Sequence, residues 1–324
     1  MDVLLVGLGS TTGLRRAEDA LAGSLERAGA SVSVARAAAQ PDVRTLAYTD
    51  LRWALAARSA AQAALREHSP RAVLYYTTTA ALFWPRVGAV RFDSLAADSR
   101  PGRHGIWQRG VERRRLASAS LVCPSSADVR FPEGVVVPPA VDSSGPPAAS
   151  RDIAAITYGA NPSKKGLDRI LAAWSRARRD GEELVVGGIT SDNDWFSGPR
   201  PLDGVRLAGS LAADEWRALV RRAKVFVSAS RFEDFGIAQM EALADGCRLV
   251  TVASPGPYAA LPLARALDPR LVVREDGDLP AAIRTALDDP APGYAERVEP
   301  LLAPYSSAAV DALVADRLLP ELLA

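Results

Sequence analysis

Two glutamates, Glu233 and Glu241, flank a glycine turn in the second half of the chain. The turn follows an apolar run that predicts a buried strand, and it leads into a helical pattern. Backbone amides at the start of a helix favour anions, so Phe235, Gly236 and Ile237 are predicted to hold a diphosphate. A carboxylate accepts two hydrogen bonds at once, which suits Glu241 to the vicinal hydroxyls of a ribose. Taken alone, such a pair of glutamates is more often solvated surface charge than a binding site.

Two adjacent lysines, Lys164 and Lys165, stand before a second glycine turn. The chain has 39 basic residues, and Lys224 is the only lysine outside this pair. Since arginine has replaced lysine almost everywhere, the adjacent pair indicates a site that needs a compact ammonium group, such as a diphosphate site. Chance placement at the start of a helix is the alternative.

A glycine-rich loop, Gly7–Gly13, joins the first predicted strand to the first predicted helix. Such a loop lets a substrate approach the backbone closely, which makes Gly9 and Thr11 candidate binding residues. The spacing is GxGxxxG rather than the dinucleotide pattern GxGxxG. The next predicted strand, which ends near Arg36, lacks the acid that binds an adenosine ribose. A nicotinamide-dependent enzyme is therefore disfavoured.

The composition excludes several classes of protein. A formal net charge of +1 gives no general attraction to nucleic acid or to anionic membranes. Only His68 and His104 are histidines, which rules out zinc sites of the HExxH kind, and Cys123 and Cys247 form neither a metal spacing nor a disulfide framework. The N-terminus is typical of a strand rather than a signal peptide, and no apolar run approaches the ~20 residues of a membrane span. We expect a cytoplasmic protein without an integral membrane segment.

Several motifs occur in the order found in one enzyme family. The pattern E-x-F-G-x-x-x-x-E-A, which runs from Glu233 to Ala242, resembles the donor-site signature of the family-4 retaining glycosyltransferases (glycosyl transferases group 1). Four further segments resemble the family's glycine turn, lysine loop, base-pocket strand and following strand: Tyr158-Gly159, Lys165-Gly166-Leu167, Val186-Gly187-Gly188 and residues 205–209. The resemblance covers residues 121–290 well and the N-terminal half only in outline.

The resemblance implies a role for each matching residue. Lys165 is expected to contact the donor diphosphate, with Lys164 beside it, and Glu241 is expected to hold the ribose. Glu233 is expected beside the transferred sugar, which makes it, with Lys165, a candidate for catalysis. Further residues are expected to border the base, the diphosphate or the acceptor: Gly9, Thr11, Gly159, Gly188, Ser210 and Leu211.

One departure from the family pattern concerns the phosphate site. Ala160 stands where a basic residue normally follows the glycine matched by Gly159. One cation of the phosphate clamp is therefore either missing or supplied by Lys164 or Arg231.

A second departure lies in the N-terminal half. Phe92 stands where the family commonly has a histidine before an aspartate, here Asp93. Asp93 and the nearby His104 are therefore candidate catalytic residues that would contact the sugar or the acceptor. A solvated, arginine-rich loop with Trp107 as a packed anchor is the alternative. With an apolar ring at Phe92, we expect a donor sugar that lacks a 6-hydroxyl group.

Apolar runs alternate with helical patterns along the whole chain, which predicts an α/β fold with parallel sheets. The last strand of the first half is predicted at residues 134–137, before a Pro-, Gly- and Ser-rich linker. The resemblance implies the GT-B fold, in which two Rossmann-like domains with parallel sheets face each other across a cleft. We expect an acceptor-side domain at 1–145, a nucleotide-sugar-binding domain at 151–304, and a C-terminal helix at 305–324 that crosses back to the first domain.

The predicted function is transfer of a sugar from a nucleoside diphosphate sugar to an acceptor hydroxyl with retention of configuration. Because Lys165 and the helix amides can meet the diphosphate charge, we expect metal-independent transfer and no cofactor besides the donor substrate. The expected acceptor is a small molecule, a glycan or a lipid-linked molecule. No nucleic acid partner is expected, and peripheral membrane contact stays open. The alternatives are a nucleotide-sugar epimerase of the GT-B type and a catalytically silent nucleotide-sugar-binding protein.

Overall fold

The computed structural model describes residues 1–41, 46–127, 129, 134–146, 148, 150–195, 203–289 and 291–324. The chain divides into two compact units, of which the first comprises Met1–Ala140 with Tyr305–Ala324 and the second comprises Val141–Pro304. Each unit has its own parallel β-sheet with helices packed against it. The predicted α/β fold class with two parallel sheets is therefore confirmed.

The strands and helices of the described residues follow one another in alternation. The strands are β1 (Val3–Gly7), β2 (Val32–Arg36), β3 (Ala72–Tyr75), β4 (Ala89–Phe92), β5 (Val122–Pro124), β6 (Ile153–Tyr158), β7 (Leu184–Gly187), β8 (Val205–Gly209), β9 (Ala223–Ser228), β10 (Arg248–Val252) and β11 (Val272–Val273). The α-helices are α1 (Thr12–Arg27), α2 (Leu46–Glu67), α3 (Thr78–Ala81), α4 (Ala96–Ser99), α5 (Ile106–Ala117), α6 (Pro162–Lys165), α7 (Leu167–Ala177), α8 (Ala213–Arg222), α9 (Ile237–Ala244), α10 (Ala260–Leu267), α11 (Leu279–Asp288), α12 (Tyr294–Leu302), α13 (Ser307–Leu313) and α14 (Leu319–Leu323).

The first unit has a five-stranded sheet with the strand order β2-β1-β3-β4-β5. Alternate residues of β1 face two separate core clusters, because a strand points successive side chains to opposite faces. One of these clusters also contains Val310, Val314 and Leu318 from near the end of the chain. Arg27, the last residue of α1, donates to both carboxylate oxygens of Asp311 at 2.7 Å. The C-terminal segment is thus an integral part of the first unit.

The second unit has a six-stranded sheet with the strand order β11-β10-β9-β6-β7-β8. The helix α7 places Leu167, Ile170 and Trp174 on its buried face, as their spacing predicts. The indole of Trp174 is fully buried, and its Nε1 donates to the carbonyl of Gly204 at 2.8 Å. Because β7 pairs with one edge of β6 and β9 pairs with the other, the strand order reverses between β6 and β9.

Some sequence-based assignments of elements are wrong. Residues 134–137 form no regular strand, although the amides of Val135 and Val137 donate to the carbonyls of Val122 and Pro124 in β5. The C-terminal helix is interrupted, because residues 314–318 form a π-helical segment between α13 and α14. The helices α10 and α12 were not expected at all. Each contains a proline, and a Pro-Gly-Pro turn precedes α10, so the sequence there is typical of a loop.

Candidate active site

The candidate site lies in the second unit, at the carboxyl ends of β6 and β9. Ligands of open parallel sheets bind outside the carboxyl ends of the strands, at the point where the strand order reverses. A small pocket lies at this place. Its lining combines strand ends, the lysine loop and the first turn of α9: Thr157, Tyr158, Lys165, Phe226, Val227, Ser228, Ser230, Ala238 and Gln239.

The central contact of this site joins Lys165 to Glu233. The ammonium Nζ of Lys165 donates to both carboxylate oxygens of Glu233, at 3.0 Å and 2.8 Å. The carboxylate is 6% exposed and the lysine side chain 22% exposed, so the pair is shielded from bulk water but reaches the pocket. Ser230 Oγ and Gln239 Nε2 donate to the same oxygen, Oε2, at 2.8 Å and 3.0 Å. Three donors therefore fix the orientation of the Glu233 carboxylate.

The backbone brings the lysine loop against the end of β9. Gly166 has a φ of +63°, and a Cβ atom there would lie 2.0 Å from the carbonyl oxygen of Ala229. No other residue fits this close approach without a shift of the backbone. The amide of Arg231 also donates to the carbonyl of Lys164 at 2.9 Å. These contacts explain why the lysine pair, which is remote in sequence, reaches the glutamate segment.

Lys164 and Arg231, the two candidates for the missing cation, have carboxylate partners. Lys164 Nζ donates to Asp234 Oδ2 at 2.6 Å, and both side chains are partly exposed. Arg231 forms a bidentate pair with Asp168 at 2.9 Å and 2.6 Å, which holds the pKa of that carboxyl below its usual range. Ala160 itself is exposed. Lys165 is thus the basic residue that lines the pocket in this structure.

The glycine turn before α9 has the geometry that its sequence predicts. Gly236 has a φ of +88°, and a Cβ atom there would lie 2.6 Å from the ring of Tyr258. Phe235 is buried, and its carbonyl accepts from the amide of Ala259 at 3.1 Å. Ile237 begins the helix, and Gly236, as its N-cap, offers no side-chain acceptor to the first turn. The predicted binding of a diphosphate at these amides remains a prediction.

Glu241 lies on α9 beside an arginine that sequence analysis did not single out. Arg217 Nη1 donates to Glu241 Oε1 at 3.1 Å, and the side chains are 7% and 16% exposed. Burial, with a smaller effect of the charge of Glu241, raises the pKa of Tyr158. Arg217 could not be recognised from its sequence position, since its contact depends on how α8 packs against α9.

Two glycines, Gly187 and Gly188, lie where the nucleotide base is predicted to bind. A Cβ atom at Gly187 would lie 2.3 Å from the indole of Trp216, whose ring centroid is 5.5 Å from that of Tyr158. Gly188 has a φ of +81°, and its amide donates to the carbonyl of Gly209 at 2.8 Å. Because both glycines make room for close packing, they hold β7, β8 and α8 together. Three further predicted residues directly follow strands of this sheet. Gly159 follows β6 and is buried, whereas Ser210 and Leu211 follow β8 and are exposed and half-buried, respectively.

Gly9 and Thr11 have partners within the first unit. The amide of Gly9 donates to Glu18 Oε1 at 3.0 Å, and Arg36 Nε donates to Oε2 of the same buried carboxylate at 2.8 Å. Thr11 caps α1, because its hydroxyl oxygen accepts from the amide of Leu14 at 3.1 Å. Both groups thus stabilise the loop itself, and their role in binding a ligand remains a prediction.

Asp93 is the counter-ion of a buried arginine. Arg91 Nη1 lies 2.7 Å from Asp93 Oδ1, in the geometry of an ion pair rather than of a hydrogen bond. Phe92 is 1% exposed and belongs to a core cluster, so its ring offers no apolar wall to a ligand. The apolar wall is therefore not seen, while the missing histidine still stands behind the expected donor sugar without a 6-hydroxyl group, which remains a prediction. The side chain of His104 lies outside the described residues, and its predicted role remains a prediction.

Two negative findings concern metals and membranes. Among the residues that the structure describes, no three or more His, Cys, Asp or Glu side chains cluster so that they could hold a metal ion. No helix in the described part of the chain is both long enough and apolar enough to cross a bilayer.

Part of the chain matches a known family. Residues 153–289 match the family model described as "Glycosyl transferases group 1". Two glycogen synthases of Mycobacterium tuberculosis, from strains CDC 1551 and H37Rv, are each 29% identical over 59% of this chain and 53% of the relative. The chain therefore spans about half the length of the curated relatives it matches.

Similar solved structures cover nearly the whole chain. Sucrose-phosphate synthase from Thermosynechococcus elongatus has a TM-score of 0.69 at 15% identity, with 98% of both chains covered. WaaG, a glycosyltransferase involved in lipopolysaccharide biosynthesis, has a TM-score of 0.68 at 14% identity, with 99% of both chains covered. HepE from Anabaena, solved with UDP and glucose, has a TM-score of 0.69 at 15% identity and covers 98% of this chain and 99% of its own. The predicted GT-B fold and the predicted resemblance of the second half to glycosyl transferases group 1 are thus confirmed.

Proposed function

We propose that this chain is a glycosyltransferase that moves a sugar from a nucleoside diphosphate sugar to an acceptor hydroxyl, with retention of configuration and without a metal ion. The observation that carries the proposal is the Lys165–Glu233 pair at the point where the strand order of the second sheet reverses. A diphosphate leaving group gains negative charge as the sugar departs, and an ammonium group fixed at the pocket stabilises that charge.

The two ends of the donor are assigned to the two glutamates. Glu233 is held by Lys165, Ser230 and Gln239 next to the pocket, where its carboxylate accepts hydrogen bonds from the sugar hydroxyls. Glu241 lies further along α9, beside Arg217, and accepts the ribose hydroxyls. The glycine turn at Gly236 lies between them in sequence, which suits a diphosphate that links sugar and ribose.

Two finer features of the proposal have separate supports. Metal independence is supported by Lys165, which lines the pocket, and by Lys164 beside it, because ammonium groups can neutralise a diphosphate directly. Retention of configuration is supported by the motif from Glu233 to Ala242, which resembles that of the retaining family. HepE, solved with UDP and glucose, makes UDP-glucose a sensible first donor to test.

The test is donor turnover by the purified chain. UDP-, ADP-, GDP- and TDP-glucose are incubated with and without mixed glycan and lipid-linked acceptors, and released nucleoside diphosphate is measured. We expect acceptor-dependent release that EDTA leaves unchanged and that Lys165→Ala slows about 100-fold. Lys224→Ala is the matched control, since Lys224 is exposed on β9.

Other outcomes would indicate the alternative functions. Formation of an epimerised donor without release of free diphosphate would indicate a nucleotide-sugar epimerase rather than a transferase. Binding without any turnover would indicate a silent binding protein, and NMR of the product's anomeric proton tests retention.

A further inference from the structure

We infer that Arg217 is a positioning residue for the donor nucleotide, because it fixes the carboxylate of Glu241 in the orientation that receives the ribose. This inference rests on the proposed function and deepens it. Arg217 does not line the pocket beside Lys165. It would act through Glu241, and it need not touch the ligand itself.

The guanidinium of Arg217 is held at three points. Its Nε donates to Asp245 Oδ2 at 2.6 Å, Nη1 donates to Glu241 Oε1 at 3.1 Å, and Nη2 donates to the carbonyl of Asp142 at 2.8 Å. The side chain is 7% exposed. A planar group with three separate acceptors has one orientation only, so Nη1 defines where Oε1 of Glu241 lies.

The acceptors of Arg217 are themselves fixed. The side chain of Asp245 is fully buried and also accepts from the amide and the hydroxyl of Ser144. The neighbour of Arg217 on α8, Trp216, fills the space that Gly187 leaves open. The helix that carries Arg217 is therefore locked against β7 on one side and against α9 on the other. The side chain of Glu241 is 16% exposed and so remains accessible to solvent, while α9 fixes its backbone and Arg217 binds its Oε1.

Arg217 has two roles that experiments must separate. It neutralises the buried carboxylate of Asp245, so its removal alone would leave an uncompensated buried charge and destabilise the fold. Arg217→Lys keeps the positive charge but cannot reach three acceptors at once. The double variant Arg217→Gln/Asp245→Asn removes the guanidinium together with the charge it neutralises. Arg222→Lys is the matched control, because Arg222 lies on the same helix and pairs with Asp152 at the surface.

The experiment is calorimetric titration with UDP, ADP and GDP and with the 2′,3′-dideoxy form of each. We expect Arg217→Lys and the double variant to weaken ribonucleotide binding about tenfold, which corresponds to about 1.4 kcal/mol. Binding of the dideoxy forms should stay within about twofold of the wild type, since they lack the hydroxyls that Glu241 receives. Adding Arg217→Lys to Glu241→Gln should cause no further loss, because both substitutions remove the same contact.

Two outcomes overturn the inference. An equal loss for ribose and dideoxy ligands would show that Arg217 supports the unit as a whole, and unchanged ribonucleotide binding in both variants would show that Glu241 does not depend on it. If the wild type binds neither these three diphosphates nor TDP, the proposed function fails and the inference fails with it. If the wild type binds them and only the selective loss is absent, the proposed function stands without the role of Arg217.

Discussion

Lys165 Nζ donates to both carboxylate oxygens of Glu233, although 68 positions separate the two residues in sequence. A lysine that pairs with a buried carboxylate is not freely mobile, so its ammonium is already in place before any ligand arrives. A donor diphosphate would then share this ammonium with Glu233. Under the proposed function, the pair would link the group that stabilises the leaving diphosphate to the group that contacts the sugar.

Removal of this ammonium should affect turnover more than donor binding. The charge on the diphosphate grows as the sugar departs, so Lys165 contributes most in the transition state. For Lys165→Ala we expect kcat to fall about 100-fold, the scale for loss of one charge-stabilising donor, with a smaller change in donor affinity. Steady-state kinetics and calorimetry measure the two effects separately. Equal losses in kcat and in affinity would contradict a transition-state role, and Lys224→Ala should behave as the wild type.

Loss of the Glu241 carboxylate should weaken nucleotide binding without unfolding the protein. Two charge-assisted hydrogen bonds to the ribose contribute roughly 2–3 kcal/mol, so we expect Glu241→Ala to weaken binding of nucleoside diphosphates by about that amount. Calorimetry on the folded variant checks the change in affinity. The control is Glu299→Ala, which alters an exposed glutamate on α12 of the same unit. Unchanged affinity in the folded Glu241→Ala variant would remove Glu241 from the site.

A methyl group at Gly187 should destabilise the second unit. The added Cβ atom would lie 2.3 Å from the indole of Trp216, so the ring or the strand must shift. Overpacking of this kind costs about 1–3 kcal/mol in the free energy of unfolding. Gly277→Ala is the matched control, because nothing lies within 4 Å of the Cβ position there and the φ of Gly277 is not positive. Urea titrations of both variants measure the difference, and equal midpoints would be evidence against the packing role of Gly187.

Both cysteines should be unreactive in the native protein. Cys123 and Cys247 are fully buried, and burial raises the pKa of each thiol to about 12. A thiol must ionise to react, so Ellman's reagent at pH 8 should modify neither cysteine until the protein is unfolded with urea. Rapid labelling of the folded chain would contradict their burial.

The buried thiols, together with two buried tyrosines, predict that the free energy of unfolding falls at high pH. Burial also raises the pKa of Tyr76 and Tyr294 to about 12. A group whose pKa is higher in the folded state contributes stability below its unfolded pKa and loses that contribution as the pH rises through its folded pKa. The free energy of unfolding should therefore fall between about pH 9 and pH 12. Urea titrations at pH 8, 9.5 and 10.5 test this, and a constant or rising value would be inconsistent with it.

Sequence reasoning predicted the local structure of the short segment that carries the candidate site, while the roles of its residues remain predictions. Glu233, Gly236 and Glu241 lie within nine residues, and their order relative to a strand and a helix is readable from hydrophobic periodicity. Lys165 was recognised because lysine is rare in this chain. The alternation of strands and helices gave the fold class for the same reason, since periodicity is a local property.

Features that depend on packing between distant segments could not be predicted. Arg217 is one of many arginines on amphipathic helices, and only the contact between α8 and α9 shows which carboxylates it meets. Phe92 was expected at a ligand pocket from its position in a motif, yet its ring points into the core. The strand predicted at 134–137 has the right composition and makes two hydrogen bonds to β5, but its pairing is too sparse to form a regular strand.

The return of the C-terminal segment to the first unit has a consequence for the order of folding during synthesis. Val310, Val314 and Leu318 complete a core that begins with β1, so the core of the first unit stays incomplete until residue 318 has left the ribosome. The second unit is continuous between Val141 and Pro304 and can finish its core earlier. Domains generally fold in the order in which they are synthesised, and here we expect the second unit to complete its core first. A released chain truncated before residue 305 would have one complete unit and one with an uncovered apolar face.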